Sequence, residues 1–315
     1  MTGSCPLCGS DTSCVVCDCS NVPSRINSLA GTVQLCAICR FLFKEPTQKS
    51  LDSLEDIYQY TVEDTEFYFG PTMKGYDLNS AEIRWNSSIL EEIRQRIGST
   101  DGSQQRLLDV GCATGALLDR SRAFGFIPHG VELNPHFAEY ARTAFGLPVV
   151  AGELSLNHFG PEAFDVITVI DLIEHVADPL GLLDTSWHLL RPGGLLVVYT
   201  PNHRSVIAWL SLALYRLSGG NLCTPAYIVF GTNHVCFFDH KTLPMALERT
   251  GFDVDAMHRV RYEPSREGEV GGQSALAFGL RALEVFAQTI GLPYRLLAFA
   301  RKPDKSAGCQ INNEN

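Results

Sequence analysis

The sequence predicts an α/β fold with a doubly wound parallel sheet, preceded by a small cysteine-rich module and a helical linker. Three observations carry this. From Arg106 onward, short apolar runs alternate with helical segments, and that alternation builds βαβ units with strands buried on both faces. A glycine-bearing loop joins the first of those strands to a helix, where doubly wound sheets bind ligands. Seven of the eleven cysteines fall within the first 39 residues, which sets the start of the chain apart.

The 315 residues accommodate one large domain and one small one. A hydrophobic fraction of 45% and a charged fraction of 19% are enough for a packed core. A formal net charge of −10 with no Lys/Arg run argues against a nucleic-acid partner, which needs a basic face. No apolar segment follows a basic start, and the longest apolar run, Val206 to Tyr215, is half of the ~20 residues a membrane span needs. These features predict a soluble, cytoplasmic protein.

Three regions follow in order. Residues 1–45 form the cysteine module, with Phe41-Leu-Phe43 continuing like a strand. Residues 46–104 carry an aromatic cluster (Tyr58, Tyr60, Phe67, Tyr68, Phe69, Tyr76). An amphipathic helix from Ala81 to Ile97 comes next, with Ile83, Ile89, Leu90, Ile93 and Ile97 at helical spacing, and then a Gly/Ser loop. Residues 105–303 supply the main domain. Strands are expected at 106–110, 127–131, 148–151, 164–170 and 195–199, with helices near 116–124, 135–145 and 179–190. An insertion spans about 203–250, a packing helix about 274–291, and a last strand 295–301. The polar tail 304–315 is expected to be disordered.

The segment Asp109-Val-Gly111-Cys112-Ala113-Thr-Gly115 is the informative one. Its glycines allow a tight turn and close approach of a ligand. A dinucleotide loop would offer GxGxxG and bare amides to a pyrophosphate. Asp109, two residues before the first glycine, would repel a pyrophosphate and suits a ligand with a cationic amino group, as S-adenosylmethionine has. Glu132 follows the next strand, where a Rossmann-like fold places the acid that holds ribose hydroxyls.

From Arg106 to about Asn202 the chain resembles the class I S-adenosylmethionine-dependent methyltransferases. The resemblance rests on Asp109, Gly111, Ala113 and Gly115, on Gly130-Val-Glu132-Leu133-Asn134-Pro135, on Phe164-Asp165, on Asp171-Leu172-Ile-Glu174-His175, and on Leu189-Leu-Arg-Pro192-Gly193-Gly194. Ala113 departs from the second of the family's three glycines, and its single methyl is expected to be tolerated. The resemblance implies a seven-stranded Rossmann-like sheet. It also implies a cofactor site of Asp109, Gly111, Cys112, Ala113, Gly115, Glu132, Leu133, Glu153, Leu154, Asp171 and Leu172. In it the Gly152-Glu153-Leu154 turn lies against the adenine. The Pro-Gly-Gly turn has its own local reason, since glycine ends a helix with positive φ and proline blocks its continuation.

In the N-terminal module, Cys5-Pro-Leu-Cys8 and Cys36-Ala-Ile-Cys39 are two CxxC knuckles whose thiolates suit structural Zn²⁺ in a zinc-ribbon-like arrangement. Cys14, Cys17 and Cys19 leave a second site or another pairing open; redox cysteines and an iron–sulfur cluster fit the spacing less well. The module also resembles zinc domains in front of some bacterial methyltransferases, sugar C-methyltransferases among them.

Methyl transfer to oxygen or carbon calls for a base, and histidine titrates in the useful range. His234, ahead of the aromatic pair Phe237-Phe238, is the first candidate. His175, after the fourth strand, is either a second candidate base or a residue that shapes the cofactor pocket, and His240 reads as a helix start. The apolar stretch 205–230 reads as a helical lid; a greasy substrate channel or an interfacial face is the sharper alternative. The reading is thus a methyltransferase for a small molecule, carbohydrate or natural-product intermediate, at O or C. An RNA or protein methyltransferase and a non-catalytic scaffold are the rivals. The acceptor, its reacting atom and the oligomeric state are not encoded in any motif.

Overall fold

The computed structural model describes residues 4–18, 31–46, 61, 81–98, 104–230, 233–260 and 275–304. The aromatic cluster at 58–76, Cys19 and the tail from 305 lie outside them. The chain starts with three strands, β1 (Ser13–Asp18), β2 (Gly31–Cys36) and β3 (Leu42–Pro46), paired as an antiparallel meander. The amphipathic stretch becomes α1 (Ala81–Ile97), with Ile89, Leu90 and Ile93 buried.

The main sheet then begins with β4 (Gln105–Val110), α2 (Ala116–Arg122), β5 (Phe126–Glu132), α3 (Pro135–Phe145) and β6 (Val149–Ala151). A short α4 (Leu156–Phe159) leads to β7 (Phe164–Ile170). The next elements are a 3-10 turn at Ile173–His175, α5 (Pro179–Leu189) and β8 (Leu190–Pro201). The insertion holds α6 (Val206–Leu217), α7 (Thr224–Phe230) and β9 (Cys236–Phe237). It is followed by α8 (Thr242–Arg249), β10 (Asp253–Val260), α9 (Ala275–Thr289) and β11 (Arg295–Arg301).

Helix starts follow the local chemistry. Asn134 accepts from the amides of His136 and Phe137, Asp178 accepts from Gly181, and Ser205 accepts from Ala208, with proline at the first position of α3 and α5.

The seven strands of the main sheet run in the order β10-β11-β8-β7-β4-β5-β6, with β4 to β8 parallel and β11 antiparallel to both neighbours. Consecutive side chains go to opposite faces: Leu107 joins the layer of α1, α2 and α3, and Leu108 joins the layer holding Leu183, Leu243 and Phe252. Both are fully buried, and burial of such a side chain stabilises by about 1.5–3 kcal/mol. Parallel strands therefore end together on one edge, and the loops there meet.

Two details differ from the sequence expectation. Helix α5 ends at Leu189 because Leu190 is already extended (φ −74°, ψ 139°), and the next residue, Arg191, is kept out of the helical region by Pro192. The glycine with positive φ, Gly193 at 75°, sits instead inside β8, where its N–H donates to the Lys302 carbonyl at 2.9 Å. Helix α8 starts at Thr242 rather than at His240, and ahead of it the Asp239 carboxylate accepts from the amides of Lys241 and Thr242.

The cysteine module shares its sheet with the insertion. β9 pairs antiparallel with β3, Leu42 opposite Phe237 and Phe43 opposite Cys236, making a second sheet in the order β1-β2-β3-β9. One face packs into the main core through Cys5, Leu7, Cys36, Phe41 and Phe43. The other face, with Cys17 and Val33, packs on Ala208 of α6 and Val229 and Phe230 of α7.

Candidate active site and metal centre

The carboxyl ends of the parallel strands bring the motif residues together. At the end of β4 the Gly111 amide donates to the Val131 carbonyl at 2.8 Å, fastening the glycine loop to β5. Gly111 and Gly115 have φ of 72° and 87°, open to glycine. A Cβ at Gly115 would stand 2.6 Å from Leu147 Cδ1. Ala113, at φ 46°, also lies in the left-handed region, which costs an L-residue about 1–2 kcal/mol.

The two acids stand on either side of this loop. Asp109 is buried at 4% exposure and accepts a hydrogen bond from the Thr168 hydroxyl of β7 at 2.6 Å. Burial raises its pKa to about 7, against the pull of Thr168 and with a small push from Glu132. The carboxylate is thus poised for a cation. Glu132 accepts from the Ala113 amide and from the Asn134 amide, both at 2.8 Å. Those two bonds lock its carboxylate across the mouth of the loop, while each oxygen keeps a lone pair for a further donor.

The remaining predicted contacts lie along the same edge. Exposed Leu133 follows Glu132, and the Gly152 amide donates to the Glu132 carbonyl at 2.9 Å, which places the Gly152-Glu153-Leu154 turn beside it. Leu172 packs over the bare face of Gly111, since a Cβ there would be 3.1 Å from Leu172 Cδ1. Asp171 pairs with Arg295 at 2.5 Å.

Sequence reasoning missed Arg295. Strand β11 is antiparallel, so its first residue lies opposite Pro201 at the functional edge. There the buried guanidinium lies over the rings of Tyr199 and Tyr294. Thr168 was missed too, as one hydroxyl in an apolar run.

The far wall is a histidine cluster. His175 and His234 rings lie 4.7 Å apart, edge to face, and His203 is 6.1 Å from His234. His175 Nδ1 lies 3.2 Å from the Asn233 carbonyl. His234 Nδ1 has no hydrogen-bond partner among the described residues. Burial, helped by the neighbouring histidines, lowers the His234 pKa well below its usual value, and burial brings His203 to about 3. Both rings are neutral at pH 7, so each keeps one nitrogen able to accept a proton. Below them Glu174 accepts from the Thr200 hydroxyl at 2.9 Å and is pushed by burial to about 8. Ligand atoms of Glu174, His175 and His234 lie within 4.8 Å of one another.

The four cysteines chosen from spacing meet in space. Cys5 and Cys39 sulfurs lie 3.5 Å apart, as do those of Cys8 and Cys36, and all four lie within 4.8 Å. Tetrahedral bonds of about 2.3 Å would set sulfurs about 3.8 Å apart, so the set fits zinc. The two knuckles turn alike: Gly9 donates to the Cys5 carbonyl with φ 75°, and Arg40 donates to the Cys36 carbonyl with φ 62°. Burial raises Cys5 to about 11, whereas backbone amides of Cys39 and Ile38 overcome burial at Cys36 and lower it to about 7. Four adjacent thiols cannot all ionise without a cation. Cys14 is exposed on β1 and Cys17 is buried beneath α6 and α7, apart from this cluster.

Comparison with known proteins shows the family. The family described as "Methyltransferase domain" matches residues 68–257. A ubiquinone biosynthesis O-methyltransferase of Caulobacter sp. is 36% identical over 113 residues, 33% of this chain and 44% of its own. One from Xylella fastidiosa is 30% identical over 192 residues, 58% of this chain and 73% of its own. The chain thus spans between about half and three quarters of the length of these relatives. Among solved structures, phosphoethanolamine N-methyltransferase 2 of Haemonchus contortus, in complex with S-adenosyl-L-methionine, is 20% identical. It covers 84% of this chain and 63% of its own, with a TM-score of 0.53. That likeness is one of fold.

Proposed function

Because the chain belongs to the methyltransferase-domain family, we propose that it transfers a methyl group from S-adenosylmethionine to an oxygen or carbon of a small molecule. The observation that carries the reading is the pair of acids around the glycine loop, Asp109 buried against the Thr168 hydroxyl and Glu132 fixed by two backbone amides. When bound, the cofactor supplies an electrophilic methyl on a sulfonium. Asp109 then neutralises the methionine ammonium, Glu132 accepts from the ribose hydroxyls, and Leu133 with the Glu153-Leu154 turn covers the adenine.

On the acceptor side, His234 takes the proton from the attacking hydroxyl or carbon acid with its uncharged ring. His175 orients it by edge contact. The cofactor edge and the histidine wall hold the two reactants for in-line attack, which is where most of the rate gain arises. The four cysteines hold zinc structurally, since four thiolates leave no open coordination position.

The relatives' printed role favours a biosynthetic intermediate and transfer to oxygen. The lid favours an acceptor with an apolar part, or an interfacial approach: Trp209, Leu217 and Leu222 are exposed, and no helix among the described residues is long and apolar enough to cross a membrane. Incubation with methyl-labelled S-adenosylmethionine and a panel of phenolic, quinol and sugar acceptors tests the proposal. Label in a phenolic or quinol product, lost in His234→Ala, is expected. Label that enters only RNA or protein would overturn it.

A further inference from the structure

The metal centre is continuous with the wall that carries His234. Strand β3 begins three residues after Cys39 and pairs with β9, two residues after His234. The Lys44 amide donates to the Val235 carbonyl at 2.8 Å, and the Val235 amide donates to the Glu174 carbonyl at 2.8 Å. A two-bond relay thus runs from the cysteine sheet, through the residue beside His234, to the turn that holds Glu174 and His175. Rings continue it on both sides. Phe41 meets Phe238 at 5.0 Å, and Phe237 lies 4.7 Å from His203 and 5.4 Å from Phe230 of α7. The lid-facing side of the same sheet holds Cys17 and Val33 against Ala208, Val229 and Phe230. Asp109 and Glu132 lie outside these links, tied to β4, β5 and β7 instead.

From this we infer that the four-cysteine module is a positioning element of the acceptor half of the active site. Metal bound by Cys5, Cys8, Cys36 and Cys39 fixes strand β9, the His234 segment and the lid, and leaves the cofactor half independent. A two-residue strand cannot hold itself, because it forms too few bonds to offset the ordering of its chain. It persists where β3 is held, and β3 is held by the knuckle at its start. The inference rests on the reading of the four cysteines as zinc ligands.

Hydrogen exchange on the full chain tests it, with zinc bound, after chelation and after zinc is returned, alongside metal analysis and titration with S-adenosylhomocysteine. About one zinc per chain is expected. Chelation should speed exchange across 233–238 by at least about tenfold and reverse when zinc returns. Residues 105–115 should keep their protection, and S-adenosylhomocysteine should bind within about twofold of its original affinity. Val33→Ala, which leaves the thiolates in place, should retain zinc and speed exchange across 224–230 and 233–238 only. The inference is overturned if chelation opens 4–18 and 31–46 while 233–238 stays protected. It is equally overturned if S-adenosylhomocysteine binding vanishes together with protection of the whole chain. A chain that holds no zinc and ignores added zinc removes the premise, a failure that metal analysis separates from the other two.

Discussion

Cofactor binding should expel a proton from Asp109. Its carboxyl is buried and raised to about 7, with burial as the main cause. The sign follows from linkage. An acid raised above its unfolded value favours the folded state most below about pH 4, and that stability is lost as pH rises to about 7. Three pH units amount to roughly 4 kcal/mol in the empty protein. A ligand ammonium placed beside Asp109 favours the ionised form and reverses the penalty. Binding at pH 6 should then release about 0.9 proton per ligand, and affinity should rise about eightfold from pH 5.5 to 6.5.

Isothermal calorimetry in buffers of different ionisation enthalpy measures the release directly. Asp109→Asn, which keeps the shape and the Thr168 contact, should bind more weakly and release none. 5′-Methylthioadenosine, which lacks the amino-acid portion, should release none from the parent protein. Unchanged release in Asp109→Asn, or none in the parent, would refute the placement of Asp109 against the ammonium.

Other substitutions read other parts of the site. Ala113→Gly removes a left-handed alanine and should raise stability by up to about 1 kcal/mol in thermal unfolding, with cofactor binding kept. Glu132→Ala leaves the Ala113 and Asn134 amides without their acceptor, which should destabilise by about 1–3 kcal/mol and greatly weaken S-adenosylmethionine binding in calorimetry. His234→Ala should lower kcat by about 10²–10⁴ with cofactor affinity kept. Because burial holds the His234 pKa down, the parent's rate should already be on its plateau at pH 7 and fall only at lower pH. Full turnover in His234→Ala would exclude it as the base.

The parts of the fold with strong local signals were legible in the sequence. The runs 164–170 and 195–199 are apolar enough to declare buried strands, and α1 shows its face in Ile89, Leu90 and Ile93. Asp109 and Glu132 stood out because the loop between them has its own chemistry, and the structure sets both beside that loop. The four cysteines could be paired because each knuckle is local, even with Cys14 and Cys17 competing.

What stayed hidden depends on distant partners. β9 is two residues long and exists because β3, about 190 residues earlier, offers it an edge. Thr168 carries no signal until the parallel register sets it beside Asp109. Arg295 looked like the start of a strand, and only the antiparallel direction of β11 brings it to Asp171. His203 reads as one more residue after a proline until its buried ring turns up beside His234.

Residues in the wall from His175 to His234 come from separate elements, so the acceptor half is the part that geometry had to supply. A crystal structure with S-adenosylhomocysteine tests the account most directly. It should place the ribose hydroxyls on Glu132, the ammonium on Asp109 and the sulfur facing His234. A ligand found with its ribose away from Glu132, or with its sulfur turned from the histidine wall, would contradict it.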